Sequence, residues 1–226
     1  FRRVLFRSIP TDVAKAIDGA ADEVIRGDLD DHFPLVVYQT GSGTQSNMNC
    51  NEVIANRANQ MLGKPLGSKE PVHPNDHVNH AQSTNDSFPT AIHVACASEC
   101  HDRLLPALAA LQTCFKDLAG KYSGVVKIGR THLQDATPLT LGQEIGGWAD
   151  QLRIGEHQIK SALELVYELP IGGTAVGTGL NTREGYSEMV PIVLSGTTGI
   201  PFVAAPDKFA QLGGKEALVA LSGALK

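Results

Sequence analysis

The sequence predicts a mainly α-helical fold built around two long helices. Residues 88–122 and residues 138–169 are rich in Ala and Leu, and each is long enough to be a member of a helical bundle. In the second segment, apolar residues recur three or four positions apart from Leu141 to Val166, as expected for one buried face. No solenoid-period repeat is present in the sequence. We therefore expect a small N-terminal helical part followed by a long-helix bundle.

The first third of the chain is expected to alternate helices with polar loops. Residues 11–26 have the spacing of an amphipathic helix that Thr11 or Asp12 could cap. Its apolar face consists of Val13, Ala16, Ile17, Ala20 and Val24. Residues 39–49 are dense in Gly, hydroxyls and amides and are predicted to form a loop, which leads into a helix at residues 52–62 that Asn51 caps. A polar loop before a helix N-terminus is a natural anion site, and a solvated surface loop is the alternative.

A histidine-rich segment follows. It contains His73, His77 and His80 together with Asp76, which invites a metal hypothesis. Pro74 breaks the helical geometry that a His pair four residues apart would need, so a polar loop is favoured and no metal site is predicted.

The first long helix is expected to begin just after this loop. Asn85 or Asp86 is placed near its N-cap and Pro89 early in the helix, so that Ser83, Thr84 and Asn85 project at its N-terminal end. Pro106 predicts a kink or break farther along.

Residues 129–138 separate the two long helices. Thr131 and His132 are expected on a short irregular connection between rigid elements, where catalytic side chains are often carried. Pro138 would then lie in the first turn of the second helix. A histidine in such a position can exchange a proton near neutral pH, although it could equally cap a helix or fill a polar gap.

The last part of the chain has a Gly- and Thr-rich loop and two helical segments. The loop at residues 170–182 lacks the Lys or the following acidic residue of a nucleotide site. Residues 184–199 and residues 207–226 have helical patterns.

Composition narrows the possible partners of the chain. The 226 residues carry a net charge of −5 with 19% charged residues, which gives no reason to expect binding to nucleic acid or to an anionic membrane. No apolar run approaches the length of a membrane span. The four cysteines lack metal or redox spacing, so reduced thiols are expected.

The two ends of the sequence suggest an internal fragment of a longer protein. Residues 1–8 do not match the pattern that follows and can be spelled by a sequencing-library adapter read in frame, so we expect a non-native leader there. The other end stops inside a helical pattern without a cap. We expect residues 9–82 to form part of an N-terminal domain and residues 83–226 to form the first part of a truncated helical bundle.

Several polar strings carry a family resemblance. They are TGSGTQSNMN at 40–49, HPNDHVN at 73–79, STND at 83–86, GRTHLQDATPLTLGQE at 129–144 and GGTAVGTGLN at 172–181. Together they resemble class II fumarase, the metal-independent fumarate hydratase of the fumarase/aspartase superfamily, from about Ile9 to the end of the chain. The resemblance implies that superfamily's helical fold, a homotetramer, no cofactor, and reversible hydration of fumarate to L-malate as in the tricarboxylic acid cycle.

The resemblance also implies roles for individual residues. His132 is expected to be catalytic and to handle the proton of the water or hydroxyl group. The expected substrate ligands are Ser42, Gly43, Thr44, Ser83, Thr84, Asn85 and Thr131. A secondary dicarboxylate site is expected at His73, Pro74, Asn75 and Asp76. The family's flexible loop, which carries the serine thought to take the carbon-bound proton, has no counterpart in this sequence.

Two other functions remain as alternatives. Aspartase-like amino-acid lyases share the Ser-Thr-Asn-Asp element but usually carry Gln where His132 stands, so His132 favours a fumarase. A non-catalytic structural relative would not need every polar loop residue that this sequence contains. The resemblance fits a cytoplasmic or a mitochondrial protein.

Overall fold

A computed structural model describes residues 9–226, and the expected leader at residues 1–8 lies outside this range. The chain forms two compact units. The first contains the described residues up to His93 together with Glu168–Gly214, and the second contains Val94–Tyr167 with Lys215–Lys226. The division that the sequence suggested after residue 82 stays a prediction. Among residues 9–226, no helix is both long and apolar enough to cross a membrane.

Both units are mainly helical, as predicted. In the first unit the helices and strands are α1 (Thr11–Ile25), α2 (Thr44–Met61), the start of α3 (Thr84–Glu99), β3 (Glu168–Leu169), α6 (Tyr186–Thr198), β4 (Val203–Ala204) and α7 (Lys208–Gly213). In the second unit they are α4 (Leu105–Lys121), β1 (Val126–Thr131), β2 (Gln134–Thr140), α5 (Leu141–Val166) and α8 (Glu216–Ala224).

The core of the first unit forms where α1 packs on α2. The predicted apolar face of α1 is confirmed, because Val13, Ala16, Ile17 and Ala20 are all buried and Val24 is partly buried against them. They join Ile54, Ala55 and Ala58 of α2 in one cluster. The predicted cap at Thr11 or Asp12 is wrong, because Pro10 occupies the N-cap position and its side chain makes no capping hydrogen bond.

Helix α2 begins earlier than the sequence suggested. The prediction that Asn51 caps a helix starting at residue 52 is wrong, because α2 starts at Thr44 and Asn51 lies buried in its interior. Gly43, with φ of 75°, ends the preceding turn, and its carbonyl accepts the N–H of Asn47 at 3.0 Å. Amides and hydroxyls have modest helix propensity, and here tertiary packing overrides it.

The predicted break in the first long helix is confirmed. Residues Cys100–Leu104 form a π-helical turn between α3 and α4, and Pro106 lies in the first turn of α4. Proline has no N–H for the carbonyl four residues earlier, so the regular ladder cannot run through this point.

The second unit carries an antiparallel hairpin between α4 and α5. Strand β1 pairs with β2 so that Ile128 faces Pro138 and Thr131 faces Gln134, and β2 has one extra residue opposite Gly129. The expectation that Pro138 begins a helix is therefore wrong. The helix begins three residues later because Thr140 and Gln143 form a reciprocal capping box, with bonds of 2.9 Å and 3.1 Å.

The last predicted helices are partly confirmed. The pattern at residues 184–199 corresponds to α6, whereas the pattern at residues 207–226 is divided into α7 and α8 around Gly214. The short strands β3 and β4 pair in parallel. All four cysteines are free thiols, as expected.

Candidate functional site

A row of hydroxyl groups leads into the N-terminus of α2. The side-chain oxygens of Thr40 and Ser42 lie 3.2 Å apart, and those of Ser42 and Thr44 lie 3.4 Å apart. Both Ser42 and Thr44 are exposed. A hydroxyl can donate and accept at once, so this row leaves at least one O–H free to point outward. The N-terminal end of a helix adds a partial positive charge at the same place.

Gly43 is fixed by close packing as well as by its backbone conformation. It is buried, and a Cβ at this position would overlap the ring of Phe88 on α3. Only glycine allows both the positive φ and this approach. The packing brings the start of α2 against the start of α3.

Asn47 connects the two helix starts directly. Its Nδ2 donates to Thr84 Oγ1 at 2.8 Å, and its Oδ1 accepts from Ser87 Oγ at 3.3 Å. Because Thr84 Oγ1 is the acceptor, its own O–H proton remains available for another partner. The structure thus brings Ser42, Gly43 and Thr44 together with Thr84.

Asp86 is the buried centre of the turn that begins α3. Its side chain is fully buried. Oδ1 accepts the N–H of Ser83 at 2.9 Å, and Oδ2 accepts the N–H groups of Gly172 and Thr174 at 3.0 Å and 2.8 Å. Burial raises the pKa of this carboxyl, and the backbone hydrogen bonds oppose that rise.

The loop at residues 172–181 also holds the next candidate ligand. Asn85 Nδ2 donates to the carbonyl oxygen of Ala175 at 2.7 Å, which fixes the side-chain orientation of Asn85. One amide N–H is used in this bond, so the second N–H and Oδ1 remain for a ligand. Asn85 itself is exposed.

An open cleft of about 680 Å³ lies beside these turns, within the first unit. Its lining includes Asn75 and Asp76 of the expected secondary site, Ser83 and Thr84 of the expected substrate site, and Thr174. Two lining residues, Asn79 and Thr174, have a buried side-chain oxygen without a hydrogen-bond partner among residues 9–226. Buried polar atoms of this kind are normally satisfied by water or by a ligand.

The expected secondary site is a π-helical turn, Pro74–Val78, that His73 caps. His73 Nδ1 accepts the N–H groups of Asn75 and Asp76, both at 3.3 Å. His77 Nδ1 likewise accepts the N–H of His73 at 2.9 Å. Both rings therefore carry their proton on Nε2, and the 3.3 Å approach of Asp76 Oδ2 to His73 Nδ1 is not an ion pair.

Thr131 and His132 lie at the hairpin turn of the second unit. His132 and Leu133 form the two-residue turn, with φ of 50° and 62°. Positive φ at both central residues is the geometry of the tight hairpin turn that matches strand twist, although Asn and Gly are its usual residues. Thr131 and His132 are exposed, and an ion pair of 3.4 Å between Arg130 and Asp135 spans the strands below them.

The hairpin is anchored at its other end. Lys127 Nζ contacts Glu144 on α5 at 2.6 Å. The N–H of Leu141 donates to Val125 at 2.8 Å, and the N–H of Gly142 donates to Tyr122 at 3.0 Å. The base of the hairpin is thus bonded to α5, while its tip stands free in solvent within this unit.

Two further titratable side chains lie near Asp86. Burial raises the pKa of Tyr186, and the charge of Asp86 raises it further. Burial lowers the pKa of Lys208, and the charges of Glu188 and Asp86 oppose this. Lys208 Nζ donates to the carbonyl of Leu169 at 3.1 Å.

Asp86 and Asn47 were not among the expected site residues. Asp86 stands three residues after Ser83, and this spacing of Ser and Asp is a helix-start signature that could have identified it. Asn47 had no comparable signal, because its role depends on the packing of α2 against α3. Among residues 9–226, no three His, Cys, Asp or Glu side chains are grouped so that they could hold a metal ion.

Comparison with known proteins adds to this geometry. A family model described as Lyase matches residues 5–226. The chain is 57% identical over 218 residues to class II fumarate hydratase 1 of Pseudomonas aeruginosa, an alignment that covers 96% of this chain and 47% of that protein. It is 60% identical over 213 residues to mitochondrial fumarate hydratase of Danio rerio, covering 94% of this chain and 42% of that protein.

A solved structure resembles the whole described fold. The class II fumarase from Schistosoma mansoni matches with a TM-score of 0.92 at 43% identity, covering 96% of this chain and 48% of that one. The chain therefore spans about half the length of the relatives that it matches. The expected helical fold of this type is confirmed.

Proposed function

The chain belongs to the lyase family, and on this premise we propose that the protein containing it hydrates fumarate reversibly to L-malate. Two relatives support the proposal, since both, at 57% and 60% identity, bear the name fumarate hydratase. The substrate of this reaction is a dianion. A suitable site must therefore offer hydrogen-bond donors to two carboxylates and leave the carbon atoms between them accessible to the reacting groups.

One observation carries the proposal. Two helix N-termini, those of α2 and α3, are joined by the 2.8 Å bond between Asn47 and Thr84. The helix dipoles and the hydroxyls of Ser42, Thr44 and Thr84 then offer neutral donors and partial positive charge to one carboxylate. Asn85, held by Ala175, adds an amide donor beside them.

We assign the oxygen-borne proton to His132. Anti addition of water to a double bond needs one group for the proton of the water and another, on the opposite face, for the carbon-bound proton. Imidazole suits the first role because its pKa lies near neutral pH. The exposed turn leaves the ring accessible, and Thr131 beside it can donate to a substrate carboxylate.

The hydrogen-bond donors do more than bind the substrate, because negative charge develops on one carboxylate during the reaction. When the carbon-bound proton leaves malate, the electron pair is delocalised into the neighbouring carboxylate, which gains negative charge. Donors already aimed at that carboxylate stabilise this intermediate more than the ground state. No residue of this chain is assigned to the carbon-bound proton.

The remaining expectations are also proposals. We propose that the complete protein is a homotetramer and needs no cofactor. The turn from His73 to Asp76 is proposed as a secondary dicarboxylate site, because Asn75 and Asp76 line the same cleft as Ser83 and Thr84. The compartment of the complete protein, cytoplasm or mitochondrion, stays a prediction.

An assay of the complete protein tests the proposal. Purified protein is given fumarate, malate and aspartate in separate reactions, and the absorbance of the fumarate double bond and the release of ammonia are followed. We expect reversible conversion between fumarate and malate with no ammonia. Deamination of aspartate without hydration would identify an amino-acid lyase, and a folded protein inactive on all three would identify a structural relative.

A further inference from the structure

We propose that Asp86 is a positioning residue for the dicarboxylate site, which orients Asn85 by holding the loop at residues 172–175 against the start of α3. This inference rests on the proposed function for the identity of the substrate. It assigns Asp86 no direct contact with the substrate. Through the loop, Asp86 keeps the exposed side chain of Asn85 in one orientation at the end of the helix.

The carboxylate joins segments that are distant in sequence. Oδ2 alone accepts N–H groups from Gly172 and Thr174, which lie 86 and 88 residues farther along the chain. Oδ1 accepts from Ser83 at the start of α3. An ionised carboxylate is an acceptor at both oxygens, so it can satisfy all of these donors together. A buried charge is tolerated only with such a set of bonds.

The loop does not have a relaxed backbone of its own. Thr174 has φ of 56°, an unusual conformation for a β-branched residue, and its buried hydroxyl has no partner in the described part of the chain. Gly172 has φ of 90°, and a Cβ there would lie 2.5 Å from Ser187 Cβ. Glycine adopts this φ without strain, whereas the strained backbone of Thr174 persists only where the surroundings over-determine it. The bonds to Asp86 supply that constraint.

The constraint reaches Asn85 through one peptide unit. Thr174 is bonded to Asp86 by its N–H, and the next residue, Ala175, accepts from Asn85 Nδ2 at 2.7 Å. If the loop moves away from Asp86, the carbonyl of Ala175 moves too. Asn85 then loses the partner that selects its orientation, and a ligand would have to order it on binding.

The charged and titratable groups that face Asp86 lie on other elements. Tyr186 comes from α6 and Lys208 from α7, and Glu188 of α6 faces Lys208. Replacing Asp86 by Asn therefore removes a negative charge that faces a half-buried lysine. It also places an amide NH₂ where one N–H donor needs an acceptor.

The central experiment is a double-mutant cycle in the complete protein. Asp86→Asn is expected to lower kcat/KM for malate by at least about tenfold, and Asn85→Ala by a similar factor. If Asp86 acts through Asn85, adding Asp86→Asn to the Asn85→Ala variant should lower kcat/KM by less than about threefold. Independent effects that multiply in full would overturn the proposal.

Asp12→Asn is the matched control. Asp12 also lies in the first turn of a helix, but it is exposed, so the same chemical change should leave kcat/KM unchanged.

Ala175→Gly is the second variant, for the case in which Asp86→Asn does not fold. It keeps the backbone carbonyl that accepts from Asn85 but gives the chain at this exposed position more conformational freedom, so it should lower kcat/KM about threefold or more, with no further effect in the Asn85→Ala background. An unchanged value would overturn the proposal.

A measurement that needs no turnover separates this inference from the proposed function. Hydrogen exchange of the amides of Gly172 and Thr174 should be protected in the wild-type protein and at least about tenfold faster in Asp86→Asn. If the wild-type protein does not hydrate fumarate, the proposed function fails. Unchanged exchange at these two amides contradicts the role of Asp86 whatever reaction the protein catalyses.

Discussion

The first unit ties the proposed ligands Thr84 and Asn85 to other segments by side-chain hydrogen bonds, whereas the second unit carries His132 on an exposed hairpin turn. Thr84 and Asn85 are each fixed by a bond from another segment of the chain. His132 is one of the two central residues of a tight turn, and the backbone of the hairpin positions it. Ligands that must meet a fixed charge benefit from such fixation, while a proton-transfer group needs an accessible ring.

The difference also appears in how each region tolerates change. Around Asp86, several donors converge on one carboxylate, so one substitution disturbs many partners at once. The tip of the hairpin touches little within its own unit, so a change there should alter chemistry with little effect on folding. The predictions that follow exploit this contrast, beginning with the largest expected effect.

Replacing His132 should affect turnover far more than stability. His132→Asn in the complete protein is expected to lower kcat by roughly a hundredfold or more, because it removes the proposed proton-transfer group. Steady-state kinetics and thermal unfolding measure the two effects. His157→Asn, a change of another exposed histidine in the same unit, is the control. A kcat within about twofold of wild type would remove His132 from the mechanism.

Replacing the proposed carboxylate ligands should affect binding as well as turnover. Thr44→Ala and Asn85→Ala each remove a proposed donor to a substrate carboxylate, and each should cost roughly 1–3 kcal/mol of transition-state stabilisation. Inhibition constants for an unreactive dicarboxylate and values of kcat/KM provide the measurement. Thr113→Ala, which removes an exposed hydroxyl of α4, is the control. Unaltered inhibition in both ligand variants would contradict the proposed site.

The anchored base of the hairpin should be sensitive to volume although its tip is not. Gly142→Ala would place a Cβ onto the Ala119 carbonyl and the Ser123 backbone, and overpacking should lower the free energy of unfolding by roughly 1–3 kcal/mol. At Gly147 on the same helix, the new Cβ would have no neighbour within 4 Å among residues 9–226 apart from the adjoining residues and helix backbone. That control should raise stability by roughly 0.5–1 kcal/mol. Equal effects of the two substitutions on chemical denaturation would show that Gly142 is not a packing contact.

Tyr186→Phe should have the smallest effect and the opposite sign. The phenol is buried, and its hydroxyl has no partner within residues 9–226, so its removal should be neutral or stabilise by about 1 kcal/mol. Because burial raises the pKa of Tyr186, its protonated form stabilises the fold below about pH 10, and this contribution is lost as pH rises through the raised pKa.

The pH dependence gives this variant a second readout. Unfolding measured from pH 7 to alkaline pH should show the stability of Tyr186→Phe relative to wild type increasing at the alkaline end. Tyr38→Phe alters an exposed phenol, which is 95% accessible, and should follow wild type throughout. A Tyr186→Phe variant that is destabilised by more than about 1 kcal/mol at pH 7 would show that the hydroxyl makes a bond in solution.

Local chemistry made several features predictable from the sequence. The apolar spacing of α1 identified its buried face, and Pro106 located the interruption between α3 and α4. The loop at residues 172–181 was recognisable from its glycines. Each of these depends on the period of apolar residues or on the backbone limits of Pro and Gly, which neighbours in space do not change.

Other predictions were wrong because a second local sequence signal or a tertiary contact outweighed the pattern on which the prediction was based. Pro138 resembled a helix start, but the capping box of Thr140 and Gln143 fixed the start three residues later and left Pro138 in a two-stranded hairpin. Asn51 resembled a cap, but it is buried in the middle of α2. Polar residues in helices are hard to place, because packing can outweigh their small propensity differences.

By itself, the sequence determined the helical class, the family and the polar strings that contain the proposed ligands. The tertiary structure alone decided which of those residues meet: the bond from Asn47 to Thr84, the contact of Gly43 with Phe88, and the convergence of Gly172 and Thr174 on Asp86. The physical reason is the distance along the chain over which each interaction acts. Helix periods, caps and turn residues act over a few positions, whereas a buried carboxylate must collect donors from wherever the folded chain brings them.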